Sequence, residues 1–194
     1  MKKIFCVVGK SSSGKNTIYR NILAERYSDL TPIIPYTTRP RRRDEVDGAD
    51  YFFVSQEEFA RLEQEEQILE KREYHTTRGT WIYFTRRFRL DVHHNRILVT
   101  TPDGVRGLLK RYPPENLLVL YLTVDDKTRL LRCVEREALQ PVPDYEEVCR
   151  RFLADQRDFP DDIFRSLPNV HTMDTGRDMA ECMEQWRQLY ETER

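Results

Sequence analysis

The stretch that most constrains this chain is Gly9-Lys10-Ser11-Ser12-Ser13-Gly14-Lys15. It follows a continuous apolar run, Lys3–Val8, whose adjacent valines suit a strand buried on both faces. It precedes a segment from Asn16 to about Tyr27 in which Ile18, Ile22 and Leu23 fall at helical spacing. A buried strand that passes through a turn of small residues straight into a helix is an α/β unit with an anion site built into its turn. Successive backbone N–H groups can face inward on phosphate oxygens, the helix N-terminus adds partial positive charge, and Lys15 can bridge two phosphates. Position 16 is Asn, where the strict pattern has a magnesium-holding Ser or Thr; Thr17 comes one residue later. The bland alternative is an ordinary Ser/Gly turn with a surface lysine, and the flanking strand and helix weigh against it.

Further apolar, β-branched runs at Ile97–Thr101 and Leu117–Val124 each precede a helical pattern, at Gly104–Tyr112 and Lys127–Glu137. Asp144 can cap another helix with Val148, Phe152 and Leu153 on one side. A short strand near Asn169–Met173 leads to a last helix bearing Met179, Met183, Trp186 and Leu189. This alternation predicts a parallel sheet covered by helices on both faces. A polar block over about 32–85 interrupts it and reads as a small mixed insertion. There Ile33–Thr38 is extended, Tyr51–Val54 is a short strand, and Ser55-Gln56-Glu57-Glu58 is a capping box opening a helix to about Glu66. Ile68–Tyr74 and Trp81–Thr85 form two strands joined through a turn containing Gly79.

Within the insertion, Thr37-Thr38-Arg39-Pro40 is followed by Glu45-Val46-Asp47-Gly48-Ala49-Asp50-Tyr51-Phe52-Phe53-Val54. Two guanidiniums and a phenol hydroxyl can clamp a dianionic phosphate together. With the Gly-Lys-x-Thr ending of the first loop, these motifs resemble the guanylate kinase family, and the resemblance covers most of the chain. It implies a P-loop kinase fold, with a core over 1–31 and 86–194, an acceptor-binding insertion over 32–85 and a helical lid over about 126–157. It further implies ATP on Gly9, Lys10, Ser11, Ser12, Ser13, Gly14, Lys15, Asn16 and Thr17, with Mg²⁺ carried on the phosphates near Thr17. The acceptor phosphate clamp would be Arg39, Arg42 and Tyr51, with Arg41 and Arg43 competing for the second position.

The resemblance also names an acceptor-base site. Its carboxylate, after an apolar pair in the strand following the capped helix, is Glu70, which can accept from guanine's N1 and exocyclic amine. Tyr83 keeps a phosphate contact. The family's serine is Pro35 here, and its acidic pair ending the next strand is replaced by Thr100 and Thr101. Those departures predict GMP binding that is weaker and less selective than the family pattern. Arg132 and Arg136 lie four apart on one predicted helix, and Arg151 follows in Cys149-Arg150-Arg151. They resemble the lid arginines that close over transferring phosphates, although salt bridges with Glu135, Glu137 and Glu147 are the alternative.

Lys plus Arg is 32 and Asp plus Glu is 33, a balance that argues against gripping nucleic acid through bulk charge. The apolar runs are too short to span a bilayer, and neither a signal-peptide core nor a CxxC pair is present, so a cytoplasmic protein is expected. The expected activity is ATP-dependent phosphorylation of a nucleoside monophosphate, GMP to GDP. A kinase of the same fold acting on a sugar phosphate, a non-catalytic guanylate-kinase-like binding module and a generic P-loop NTPase remain as alternatives. The partners expected are small-molecule nucleotides.

Overall fold

Strand β1 (Ile4–Gly9) is the central strand of the molecule, and none of its side chains reaches solvent before Gly9. The computed structural model describes residues 2–43, 45–76, 79–160 and 162–194. Asp44 of the arginine loop and the turn residues Thr77 and Arg78 lie outside the described residues. The remaining elements are α1 (Lys15–Ala24), β2 (Leu30–Pro32), β3 (Tyr36–Thr37), β4 (Phe52–Phe53), α2 (Gln56–Gln64), β5 (Ile68–Thr76), β6 (Gly79–Arg86), β7 (Asn95–Val99), α3 (Pro102–Leu109), β8 (Leu117–Thr123), α4 (Asp126–Ala138), α5 (Tyr145–Asp158), β9 (Val170–Asp174) and α6 (Met179–Glu193).

Five strands form a parallel sheet in the order β2-β7-β1-β8-β9. The twofold alternation of β1 divides its side chains between two cores. Phe5 and Val7 pack with Ile18 and Ile22 of α1 and with Met183, Trp186 and Tyr190 of α6. Ile4, Cys6 and Val8 pack with Val105 and Leu108 of α3 and with Phe159, Ile163 and Leu167. Burial pushes the Cys6 thiol far above its usual range, which suits an inert core residue. The predicted α/β class and the sheet covered by helices are what the structure has.

The insertion makes a second sheet, β4-β3-β6-β5, with its own core of Phe59 and Leu62 from α2 against Ile82 and Phe84 from β6. Strand β3 pairs over only Tyr36 and Thr37, less than the extended stretch predicted. Pro32 and Pro35 supply no N–H to a ladder, which limits what this stretch can pair. The Ser55 hydroxyl accepts from the Glu58 N–H and starts α2, but the Glu58 carboxylate pairs with Arg61 and so is drawn away from the cap. Two helices end earlier than their apolar pattern predicts: Arg26 after α1 and Glu66 after α2 take left-handed φ values of 55° and 52°. On α5, Val148 is buried, whereas Leu153 faces solvent and does not share its side.

Helix α3 lies directly against β5, and Gly107 permits that approach. A Cβ on Gly107 would sit 2.5 Å from the Glu70 Cβ, so a methyl group there must push the helix off the strand. Gly107→Ala is expected to destabilise the fold by about 1–3 kcal/mol. Chemical denaturation would read this as a lower midpoint at unchanged slope, and an unaffected midpoint would show that the α3–β5 contact yields freely.

Candidate active site

The loop between β1 and α1 is shaped by Gly14, whose φ of 86° lies in the left-handed region that side chains disfavour. Gly14 caps α1 without any side-chain bond, so the helix's N-terminal amides are left to the loop and whatever it holds. The Lys15 Nζ donates to the Gly9 and Lys10 carbonyls, each at 2.7 Å. Burial, with Arg136 and Arg129 adding and Asp155 opposing, pushes its pKa down to about 8.

Three side chains from distant elements brace this loop. Asp155 accepts from the Ser11 N–H at 2.8 Å and pairs with Arg129 at 3.0 Å. Arg129, 1 % exposed, also donates to the Ser11 carbonyl at 3.1 Å and pairs with Asp126 at 2.7 Å. The Thr175 hydroxyl is shared by the Ser13 carbonyl at 2.8 Å and the Thr123 carbonyl at 3.0 Å.

The loop forms one end of a cavity of about 570 Å³ beyond the carboxyl ends of β1 and β7. Ligand sites in open α/β sheets sit in that position. Gly9, Ser11, Ser12, Gly14, Lys15, Asn16 and Thr17 line it. Lys10 turns away to Gln156 at 2.8 Å, and Ser13 is buried off the wall. Arg39, Arg42, Tyr51 and Tyr83 line the insertion side. Arg41 and Arg43 are exposed and absent from the wall.

Arg39 and Arg42 differ in character. Arg39 lies 5.0 Å from the Tyr51 ring centroid and bonds Glu45 at 2.6 Å. Burial opposes its charge, but the Glu45 bonds prevail and hold its pKa above the ordinary value. Arg42 stands 3.5 Å from Glu45, and burial together with Arg39 and Arg151 pushes its pKa down to about 10. Burial, aided by Tyr83, pushes Tyr51 up to about 12, so it stays a phenol donor.

From the helical side, Arg132, Arg136 and Arg151 reach the same cavity. Arg132 donates to the Thr175 carbonyl at 3.2 Å. Burial and then Arg151 lower the pKa of Arg136. The Arg151 Nε is buried with no hydrogen-bond partner among the described residues, and Glu147 is 3.6 Å away.

Glu70 is placed differently from the expectation. It is buried behind the wall, accepting from the Thr85 hydroxyl at 2.6 Å and from the Arg72 Nε at 3.1 Å. Residues two apart on a strand share a face, so Arg72 and Tyr74 extend the line Glu70 begins, and these two line the cavity. Thr101 and Pro35 also line it. The Thr101 hydroxyl caps α3 by accepting from the Gly104 N–H at 3.3 Å, and it accepts from the Arg72 Nη1 at 2.9 Å.

The guanylate kinase family model matches residues 1–88. The guanylate kinase of Bordetella pertussis is 35% identical over 156 residues, spanning 78% of this chain and 67% of that protein. The guanylate kinase of Thermotoga maritima is 30% identical over 145 residues, 70% of this chain and 67% of that protein. The crystal structure of guanylate kinase from Anaplasma phagocytophilum superposes with a TM-score of 0.66 at 19% identity, covering 99% of this chain and 86% of that one. The chain belongs to the guanylate kinase family.

Pro35 and Thr101, the two positions at which the sequence departs from the expected base site, both line this guanylate kinase family member's cavity. The residues that sequence reasoning missed are Arg72, Tyr74, Trp81, Arg129, Asp155 and Thr175. Only Arg72 and Tyr74 carried a signal, their period-two spacing from Glu70. Arg129, Asp155 and Thr175 act across more than a hundred residues of chain, which no local pattern marks.

The depressed Lys15 makes binding of a polyanion pH-dependent. Phosphates favour the charged amine, so affinity falls as pH rises through about 8. At about pH 8, ATP binding is expected to take up roughly half a proton. Calorimetry in two buffers of different ionisation heat would measure this, and uptake unchanged in Lys15→Met would place the titrating group elsewhere.

Proposed function

We propose that this chain transfers the γ-phosphoryl group of ATP to the phosphate of GMP, giving GDP. The observation that carries the reading is one cavity that combines the Gly9–Thr17 loop with Arg42, Arg136 and Arg151, where Arg151 disfavours the charge on each of the other two. Such mutually repelling guanidiniums gain most from a shared polyanion.

In this reading Lys15 and the α1 amides hold the ATP phosphates. Arg39, Arg42, Tyr51 and Tyr83 hold the acceptor phosphate, with Glu45 fixing the Arg39 fork. Arg132, Arg136 and Arg151 face the charge that spreads over the transferring group's oxygens. The acceptor is already an ionised phosphate, so no general base is needed and the chain's work is positioning and charge stabilisation. The donor set fits Mg²⁺ that arrives with ATP: Thr17 offers a hydroxyl on the wall, and no His/Cys/Asp/Glu cluster among the described residues forms a cage. Mg²⁺ commonly keeps waters and substrate phosphates as its ligands. When bound it would neutralise charge on the phosphate oxygens.

Four free cysteines support placing the protein in a reducing cytoplasm. Among the described residues no helix is long and apolar enough to cross a membrane.

The test is an assay of ATP-dependent GDP formation. Lys15→Ala is expected to abolish turnover with little change in folding stability. Arg42→Ala is expected to raise the KM for GMP about ten-fold or more at unchanged KM for ATP, since a charge-assisted bond is worth about 1.5–3 kcal/mol. Arg41→Ala should change neither. Near-normal turnover in Lys15→Ala would end the P-loop reading, and equal weakening of both substrates by Arg42→Ala would end the separate acceptor site.

A further inference from the structure

The cavity changes character away from the phosphate loop. Beyond Tyr83 its wall carries Tyr74, Trp81 and Pro35, with the Arg72 guanidinium set among them and Arg150 and Asp158 on the side of α5. Register in the hairpin pairs Arg72 with Tyr83 and Tyr74 with Trp81, so the guanidinium emerges beside an aromatic face.

Arg72 is held with unusual completeness for a wall residue. Its Nε and Nη2 donate to the two Glu70 oxygens at 3.1 and 3.3 Å, and its Nη1 donates to Thr101 at 2.9 Å. Glu70 is fixed in turn by Thr85 at 2.6 Å and by the tight seat over Gly107. Burial opposes the charge on Arg72, but Glu70, with Tyr74 and Tyr51, outweighs it and keeps the pKa above the ordinary value. A guanidinium has five N–H donors. With three engaged among the described residues, two remain.

We propose that Arg72, and not Glu70, reads the acceptor's base, and that it selects a 6-oxopurine through the O6 and N7 acceptors. Glu70 is then a positioning residue that orients the guanidinium. This rests on the nucleoside monophosphate kinase reading above. Arginine matches paired acceptors such as guanine O6 and N7, whereas adenine places an amino donor beside N7 and opposes it. A buried carboxylate reading the other edge would require the guanine 2-amino group. Reading by Arg72 makes that group irrelevant, so hypoxanthine is as good a base as guanine.

The test measures kcat/KM for GMP, IMP, AMP and 7-deaza-GMP with the wild-type chain, then with Arg72→Gln. The expected wild-type result is IMP within about three-fold of GMP, with 7-deaza-GMP and AMP reduced about ten-fold or more, as a bidentate contact implies. Arg72→Gln should lower GMP and IMP together, leave the KM for ATP unchanged and abolish the distinction between GMP and 7-deaza-GMP. GMP preferred over IMP by more than about thirty-fold, with 7-deaza-GMP accepted, would overturn the proposal and return base reading to the carboxylate. A 7-deaza penalty that survives in Arg72→Gln would overturn it by reducing Arg72 to a structural role. ATP binding without phosphorylation of any nucleoside monophosphate would instead overturn the kinase reading beneath it.

Discussion

A strand buried on both faces can meet a ligand only where it ends, and β1 ends at Gly9. Both cores of the sheet close on this strand, Phe5 and Val7 on one side and Ile4, Cys6 and Val8 on the other. Its carboxyl end is therefore one of the most rigid points available, and the phosphate loop begins there. The loop itself has few apolar contacts to hold it. It is stiffened by polar bonds from α4, α5 and the segment after β9, through Arg129, Asp155 and Thr175. A loop that must surround a polyanion with backbone N–H groups has to be held through its carbonyls and a single amide, and that is where these three residues attach.

The charges of the chain are nearly balanced overall, yet they are sorted around the cavity. Three arginines are held by hydrogen-bonded carboxylates: Arg39 by Glu45, Arg129 by Asp155, and Arg72 by Glu70. Arg42 stands farther from Glu45, at 3.5 Å, and burial together with Arg151 depresses the ionisation of both Arg42 and Arg136. Breaking a buried pair leaves an uncompensated charge, so the held arginines are fixed in place. The others can gain from a ligand.

On β5 one side chain decides what its neighbour can offer. Glu70 is buried, and Arg72, two residues on and on the same face, donates to both of its oxygens. The cavity wall at β5 therefore presents the Arg72 guanidinium, with the Glu70 carboxylate behind it. Thr101 is coupled to the same guanidinium, since its hydroxyl accepts from the Arg72 Nη1 as well as capping α3.

Much of this was legible in the sequence because it depends on local geometry. The strand, small-residue turn and helix around Gly9–Lys15 follow from apolar periodicity and from glycine's access to left-handed φ. The starts of α2 and α5 follow from Ser55 and Asp144, each bonding an amide three residues on. The sheet of five parallel strands follows from the alternation of elements. What only the tertiary structure decided is which charged groups meet. The arginine run 41–43 gave no way to choose the residue facing the cavity, and the fold of the loop turns Arg42 inward and its neighbours out. Glu70 reads from sequence as a carboxylate free to accept, although Arg72 shares its face of β5, and the Thr85 donor reaches it only when β5 pairs with β6 in register. Backbone conformation answers to neighbours a few residues away, whereas the partner of a buried charge is settled by whatever packing brings within hydrogen-bond reach.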